Sequence, residues 1–328
     1  MGRIACPLTV VMYHYVRPLA HSRFPRLKGL DLADFRLQLD FLERNHTLVG
    51  MDAVVAAGQG DRPLPANAAL LTFDDGLSDH YAHVFPELHR RNIPGAFFIP
   101  TRAVLDRRML DVHRIHLVLA AAADADALAE EIDRAIMQNR LEFGLDEPAA
   151  YRARHAVASR LDAAGVIYVK RMLQTVLPAP VRSAVAEQLF RRFVGTDEDV
   201  AVDELYLTAE QLRVMACNGM HIGMHGDRHG WLGTQTRGEQ AADLDDGLRL
   251  LDVLEQPADG FTFCYPYGSY NADTLDLLRL RGCAAAFTVV PDIAQVEAEA
   301  MLELPRLDTR DLPHGGPPLP GGMRAPAA

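Results

Sequence analysis

The 328-residue chain is poor in cysteine and tryptophan, has no long apolar run and carries no surplus of positive charge. Each shortage excludes a class. Its four cysteines, Cys6, Cys217, Cys264 and Cys283, lie far apart with no Cys-x-x-Cys pair, which argues against a disulfide framework or a zinc knuckle. A formal charge of −11 with no compensating basic run argues against a nucleic-acid partner. No stretch approaches the roughly 20 apolar residues that span a bilayer, so no transmembrane segment is expected. The apolar run Leu8 to Tyr13 is broken at once by His14 and is too short for a secretory h-region. Cys6 stands where a myristoylation pattern needs Ser or Thr. The expectation is a cytoplasmic protein. Apolar residues make up 49% of the chain, enough at this length for one sizeable core and a smaller lobe.

What is present is a concentration of chemistry in two places. Leu71-Thr72-Phe73-Asp74-Asp75-Gly76 sets two carboxylates where an apolar run meets a glycine. The run reads as a buried strand. Charge is costly to bury, so Asp-Asp at a strand end is unusual, and in parallel α/β architectures ligands collect at the carboxyl ends of strands. One acid there can hold a cation while the other handles a proton. Asp-Asp-Gly is also a good turn sequence, and alone it would read as one. Some 150 residues later, His225-Gly226-Asp227-Arg228-His229 follows a short strand. On a helical turn, positions i and i+4 share a face, so two imidazoles can meet one divalent ion. Two imidazoles with one carboxylate form a facial set that leaves room for water and substrate.

The rest of the chain alternates strand and helix. Thr9 to Tyr13 reads as a first strand, and Leu32 to Arg44 as a helix with Phe35, Leu39 and Leu42 on one face. The Asp-Asp strand, a helix from His80 to Asn92 and a strand from Ala96 to Ile99 form a βαβ unit, hence a parallel sheet. Residues 106–204 are rich in Ala, Arg, Glu and Leu with helical periodicity and read as a helical insertion. Residues 1–105 and 205–311 then form the two parts of one α/β domain. Thr208 with Gln211 makes a capping box, and strands follow at Phe261–Tyr265, Ala284–Val289 and near Leu302–Leu304. Residues 312–328, mostly Pro, Gly and Ala, read as a disordered tail.

With Thr72-Phe73-Asp74-Asp75-Gly76, His225 to His229 and then Tyr265-Pro266-Tyr267-Gly268 in this order, the chain resembles the polysaccharide deacetylases with a NodB homology domain, carbohydrate esterase family 4. The resemblance covers about residues 5–105 and 205–310. It implies a distorted (β/α)7 barrel carrying the helical insertion, and metal-dependent hydrolysis of an N-acyl group from an amino sugar. Asp75, His225 and His229 are then the metal ligands and Asp74 the general base. The Tyr267 backbone N–H falls in the oxyanion hole, with Tyr265 and Pro266 against the substrate; Trp231, just past His229, either stacks on a sugar ring or packs against the barrel. The cofactor is a divalent ion: zinc suits the ligand set best, and nickel, cobalt and iron also fit it.

Two departures stand out. The family's arginine that contacts the catalytic aspartate falls at Cys264 here, and the C-terminal Leu-x-His motif that supplies the acid has no match, His314 being a poor candidate. Met12-Tyr13-His14-Tyr15-Val16 resembles the N-terminal segment of circularly permuted members that deacetylate exopolysaccharides, in which the acid-bearing strand comes first. His14 is therefore the expected acid, and an imidazole titrates near neutrality, which suits protonation of a leaving amine. Arg306, after the last strand, is a guess for the missing arginine. His80, His83 and His89 read as solvated positions on one helix. The expected substrate is an amino sugar or glycan intermediate of surface polysaccharide synthesis. The alternatives are a C–N hydrolase of a non-sugar amide or ureide, and an inactive carbohydrate-binding barrel. No oligomeric state is legible.

Overall fold

The computed structural model describes residues 6–122, 124–159 and 162–313. These divide into two compact units, one formed by the residues up to Pro18, Gly29–Arg108 and those from Val202 on, the other by Leu19–Lys28 and Met109–Ala201.

The first unit is a ring of seven parallel strands: β1 (Cys6–Tyr13), β2 (Ala68–Asp74), β3 (Ala96–Ile99), β4 (His221–Met224), β5 (Thr262–Cys264), β6 (Ala285–Phe287) and β7 (Leu307–Asp308). The segment entering β7 closes it: Leu304 bridges Phe287 of β6, and Leu307 and Asp308 pair with Val11 and Met12 of β1. This is the distorted (β/α)7 barrel. Short strands Thr47–Leu48 and Ala294–Val296 pair with β2 and with the start of β1. All seven residues of β2 are buried, as expected of a parallel strand covered on both faces. Alternation sorts its side chains. Leu71 and Phe73 pack with Phe35, Leu39 and Leu88 of the surrounding helices, whereas Leu70 packs with Leu8, Val10, Phe98 and Leu304 inside the ring. The same alternation turns Thr72 and Asp74 inward.

The helices begin where capping permits. Asp31 accepts from the Ala33 N–H at the start of Leu32–Asn45, and capping boxes at Thr208, Thr236 and Asn271 open Ala209–Cys217, Arg237–Val253 and Ala272–Leu280. Among the described residues, no helix is long and apolar enough to cross a membrane.

The second unit is helical, with Asp111–Ala121, Ala125–Phe143, Pro148–His155, Ala164–Arg171 and Ala179–Leu189 as its α-helices. Leu128, Ile132, Ile136, Tyr168, Val169 and Phe190 are among the buried side chains at its centre. Its extent differs from the expected 106–204, because Leu19–Lys28 belongs to it. Arg26 binds the carbonyls of Ala120 and Ala121, where a helix end leaves acceptors free, and Lys28 pairs with Asp162. Leu312, expected in a disordered tail, is instead 2% exposed and lies in the barrel core; 314–328 lie outside the described residues.

Candidate active site

β2 ends at Asp74, and the chain turns through Asp75 (φ 79°) and Gly76 (φ 64°). The Gly76 carbonyl accepts from the Leu207 N–H, which holds the turn. Across the rim, the His225 N–H extends the ladder by bonding the Ile99 carbonyl. The pair His225 and His229 is not helical, contrary to the i,i+4 reading. A loop carries it, with Gly226 at φ 70° and His229 at φ 54° bending the chain back. The outcome for the nitrogens is the same. Asp75 Oδ1 lies 3.4 Å from His225 Nε2 and 3.2 Å from His229 Nε2, and all three residues are buried. Donors about 2.0–2.1 Å from a tetrahedral zinc stand about 3.3 Å apart, so the spacing fits a divalent ion. The His225 tautomer fits too. Its Nδ1 lies 2.7 Å from the Cys264 carbonyl, which can only accept, so Nδ1 carries the proton and Nε2 presents its lone pair. Burial disfavours charge on His225, yet the Asp75 and Asp74 carboxylates outweigh it and raise its pKa well above the ordinary value. The potential that would hold a proton there also attracts a cation.

Asp74 points into the ring and meets Arg306. The two form a bidentate pair, Nη1 to Oδ1 at 3.0 Å and Nη2 to Oδ2 at 2.8 Å, with Arg306 1% and Asp74 1% exposed. All five guanidinium protons have acceptors, the others being the Thr288 carbonyl at 2.9 Å, Thr72 Oγ1 at 3.1 Å and Cys264 Sγ at 2.8 Å. The Cys264 thiol, kept protonated by burial, lies 3.4 Å from Asp74 Oδ2. Burial would push the Asp74 carboxyl up, but the Arg306 guanidinium outweighs it and holds the carboxyl at about 2. Asp74, His225 and Cys264 also cluster closely enough to suggest a second cation site. There the guanidinium already supplies the positive charge. Arg306 thus occupies the place left open by Cys264, reaching it from the segment that closes the barrel.

His14, just past β1, stands at the same rim with Nε2 3.9 Å from Asp74 Oδ2 and its side chain 39% exposed. Its backbone is fixed by a residue the sequence reading placed in solvent. His80 is fully buried, and its Nε2 donates to the His14 carbonyl at 2.9 Å. Burial lowers the His80 pKa, so the ring stays neutral. Tyr267 has φ 58°; its ring meets His229 edge-on at 4.7 Å and stacks on Trp231 at 4.5 Å. Of the seven described non-glycine residues with positive φ, three are Asp75, His229 and Tyr267, a concentration of backbone strain typical of functional sites. Tyr265 does not line the site with its side chain. Alternation along β5 sends Tyr265 outward, where it is fully buried with its hydroxyl on the Leu302 carbonyl, and Pro266 is buried near Gly226.

The polysaccharide deacetylase family model matches residues 189–286. That stretch includes both histidines and the Tyr-Pro-Tyr-Gly segment and excludes the Asp-Asp strand. No curated protein sequence matches. Among solved structures, the Streptococcus pyogenes deacetylase PplD in complex with acetate is 16% identical with a TM-score of 0.55, covering 93% of this chain and 92% of its own. IcaB from Ammonifex degensii is 20% identical with a TM-score of 0.55, covering 94% and 93%. The BpsB deacetylase domain from Bordetella bronchiseptica is 15% identical with a TM-score of 0.53, covering 94% and 96%. The likeness of fold therefore runs through nearly the whole length of each partner, well beyond the stretch the family model matches. Fold and local sequence agree: the stretch that matches the polysaccharide deacetylase family model lies within a fold like that of the solved deacetylases.

Proposed function

We propose that this protein removes an N-acyl group, acetyl or formyl, from an amino sugar of a glycan or its precursor, with a divalent ion held by Asp75, His225 and His229. The observation that carries the reading is the convergence of those three donors beside a separately held, ionised Asp74. When bound, the ion supplies Lewis acidity and makes a water molecule acidic enough to attack at neutral pH. The chain's own residues then move the protons. Asp74 accepts the proton that the attacking water gives up. A carboxyl held at about 2 is a weak base, so that proton must move on. His14, with Nε2 3.9 Å from Asp74 Oδ2, is placed to receive it and to deliver it to the nitrogen as the C–N bond breaks. Tyr267, in its left-handed conformation, presents backbone to the acyl oxygen, where one donor is typically worth about 3 kcal/mol. Arg306 acts through Asp74, fixing its orientation and keeping it charged. Trp231 supports Tyr267 by stacking, which leaves it less free to lie on a sugar ring.

The test is release of acetate from N-acetylhexosamine oligomers by metal-loaded protein. Asp74→Asn should bind metal normally and lose about 10²- to 10⁴-fold in turnover, whereas Asp75→Ala should lose the metal itself. Unchanged turnover in Asp74→Asn sinks the mechanism.

A further inference from the structure

The loop Gly226-Asp227-Arg228 joins the two imidazoles, and its backbone is bound from both sides. The Gly226 and Asp227 carbonyls accept from the N–H groups of Thr101 and Arg102, at 3.0 and 3.3 Å. The Asp227 and Arg228 N–H groups both donate to Asp243, one to each carboxylate oxygen, at 3.1 Å. Asp243 projects from the buried face of the helix Arg237–Val253 and is 4% exposed. A Cβ at Gly226 would sit 2.6 Å from Asp243 Oδ2, so the glycine is required both by its φ of 70° and by the closeness of the carboxylate. A charge buried this deeply is costly unless its oxygens are bonded. Both bonds go to the loop between the histidines. A planar carboxylate accepting two successive amides also fixes their directions, and therefore the turn that returns His229 to His225.

Resting on the assignment of Asp75, His225 and His229 as metal ligands, we infer that Asp243 is a positioning residue that preforms the histidine loop and thereby sets metal affinity. It touches neither metal nor substrate. Partners that orient metal ligands typically cost 10- to 100-fold in affinity when removed. Asn in its place keeps one acceptor and turns an N–H donor toward the second amide, so it restores only part of the clamp.

The experiment titrates the metal-stripped full chain with Co²⁺ against a chromophoric chelator. Asp243→Ala should bind Co²⁺ 10- to 100-fold more weakly with the circular dichroism of the wild type. Asp243→Asn should fall between the two. Gly226→Ala should repeat the loss with Asp243 still present, because its Cβ pushes the carboxylate off the loop. At saturating Co²⁺, deacetylation by Asp243→Ala should return to within a few-fold of wild type, which loss of a catalytic group would not allow. Binding by Asp243→Ala and Gly226→Ala within twofold of wild type, while Asp75→Ala binds nothing, overturns the proposal and leaves the ligand assignment standing. Equal binding by wild type and Asp75→Ala overturns the ligand assignment instead. Should Asp243→Ala not fold, amide hydrogen exchange on the metal-free wild type decides. Protected Asp227 and Arg228 amides support a preformed loop, and protection gained only after Co²⁺ is added refutes it.

Discussion

Replacing Arg306 with Ala removes five hydrogen bonds and the counter-charge of a buried carboxylate. Breaking a buried ion pair from one side costs about 3–5 kcal/mol, because the other charge stays behind. The pH dependence is more diagnostic. In the wild type the Asp74 carboxyl lies at about 2 when folded against 3.8 ordinarily, a difference worth about 2–3 kcal/mol at 1.36 kcal/mol per pH unit. A depressed carboxyl stabilises the fold above the ordinary value, so this contribution is complete above about pH 4 and is lost as pH falls toward 2. In Arg306→Ala, burial is opposed only by His225 and His14, and the Asp74 carboxyl moves up. A raised carboxyl stabilises below its ordinary value and loses that contribution as pH climbs. The variant should therefore lose stability between pH 4 and 7 relative to wild type, with the deficit largest at pH 7. Urea denaturation at both pH values, in excess chelator to remove metal linkage, measures this. A deficit below about 1 kcal/mol at pH 7, or one that is the same at both pH values, would refute the claim that Arg306 neutralises Asp74.

Other outcomes follow from the same geometry. His80→Phe keeps the ring volume beside Phe73 and Phe97 but deletes the bond to the His14 carbonyl, so turnover should fall while Co²⁺ affinity holds and stability drops by about 1 kcal/mol. Equal turnover would detach His14 from the mechanism or His80 from His14. Trp231, the only tryptophan in the chain, stacks on Tyr267 next to His229, so paramagnetic Co²⁺ should quench its fluorescence in wild type and leave it unchanged in Asp75→Ala.

Much of this was legible in linear sequence. β2 and β3 announce themselves as apolar runs bounded by turn signals, and the capping box at Thr208 fixes the start of its helix. The four polar residues Asp74, Asp75, His225 and His229 stand out because such groups rarely follow apolar strands. Other features depend on three-dimensional neighbours. His80 looks solvated in a one-dimensional pattern, yet a π-helical turn aims it at the His14 carbonyl. Arg306 could be offered only as a guess, because its partner is 232 residues away and the pairing requires a closed ring. Tyr265 was misplaced by motif proximity, since strand alternation decides the face and sends it outward. Asp243 reads as an ordinary helix-surface acid beside Asp245 and Asp246 until the loop packs against it.

Ring closure through Leu304–Asp308 has a consequence for the order of assembly. β2 leaves the ribosome more than two hundred residues before the segment that neutralises it. Until that segment docks, an otherwise complete barrel carries an uncompensated carboxylate in its interior, and water must stay beside Asp74. Desolvation of the ring and arrival of the final strand are thus a single late step. A chain truncated before Leu304 should not merely lose an edge; it should keep a wet, open interior in which Asp75, His225 and His229 are present but Asp74 remains hydrated.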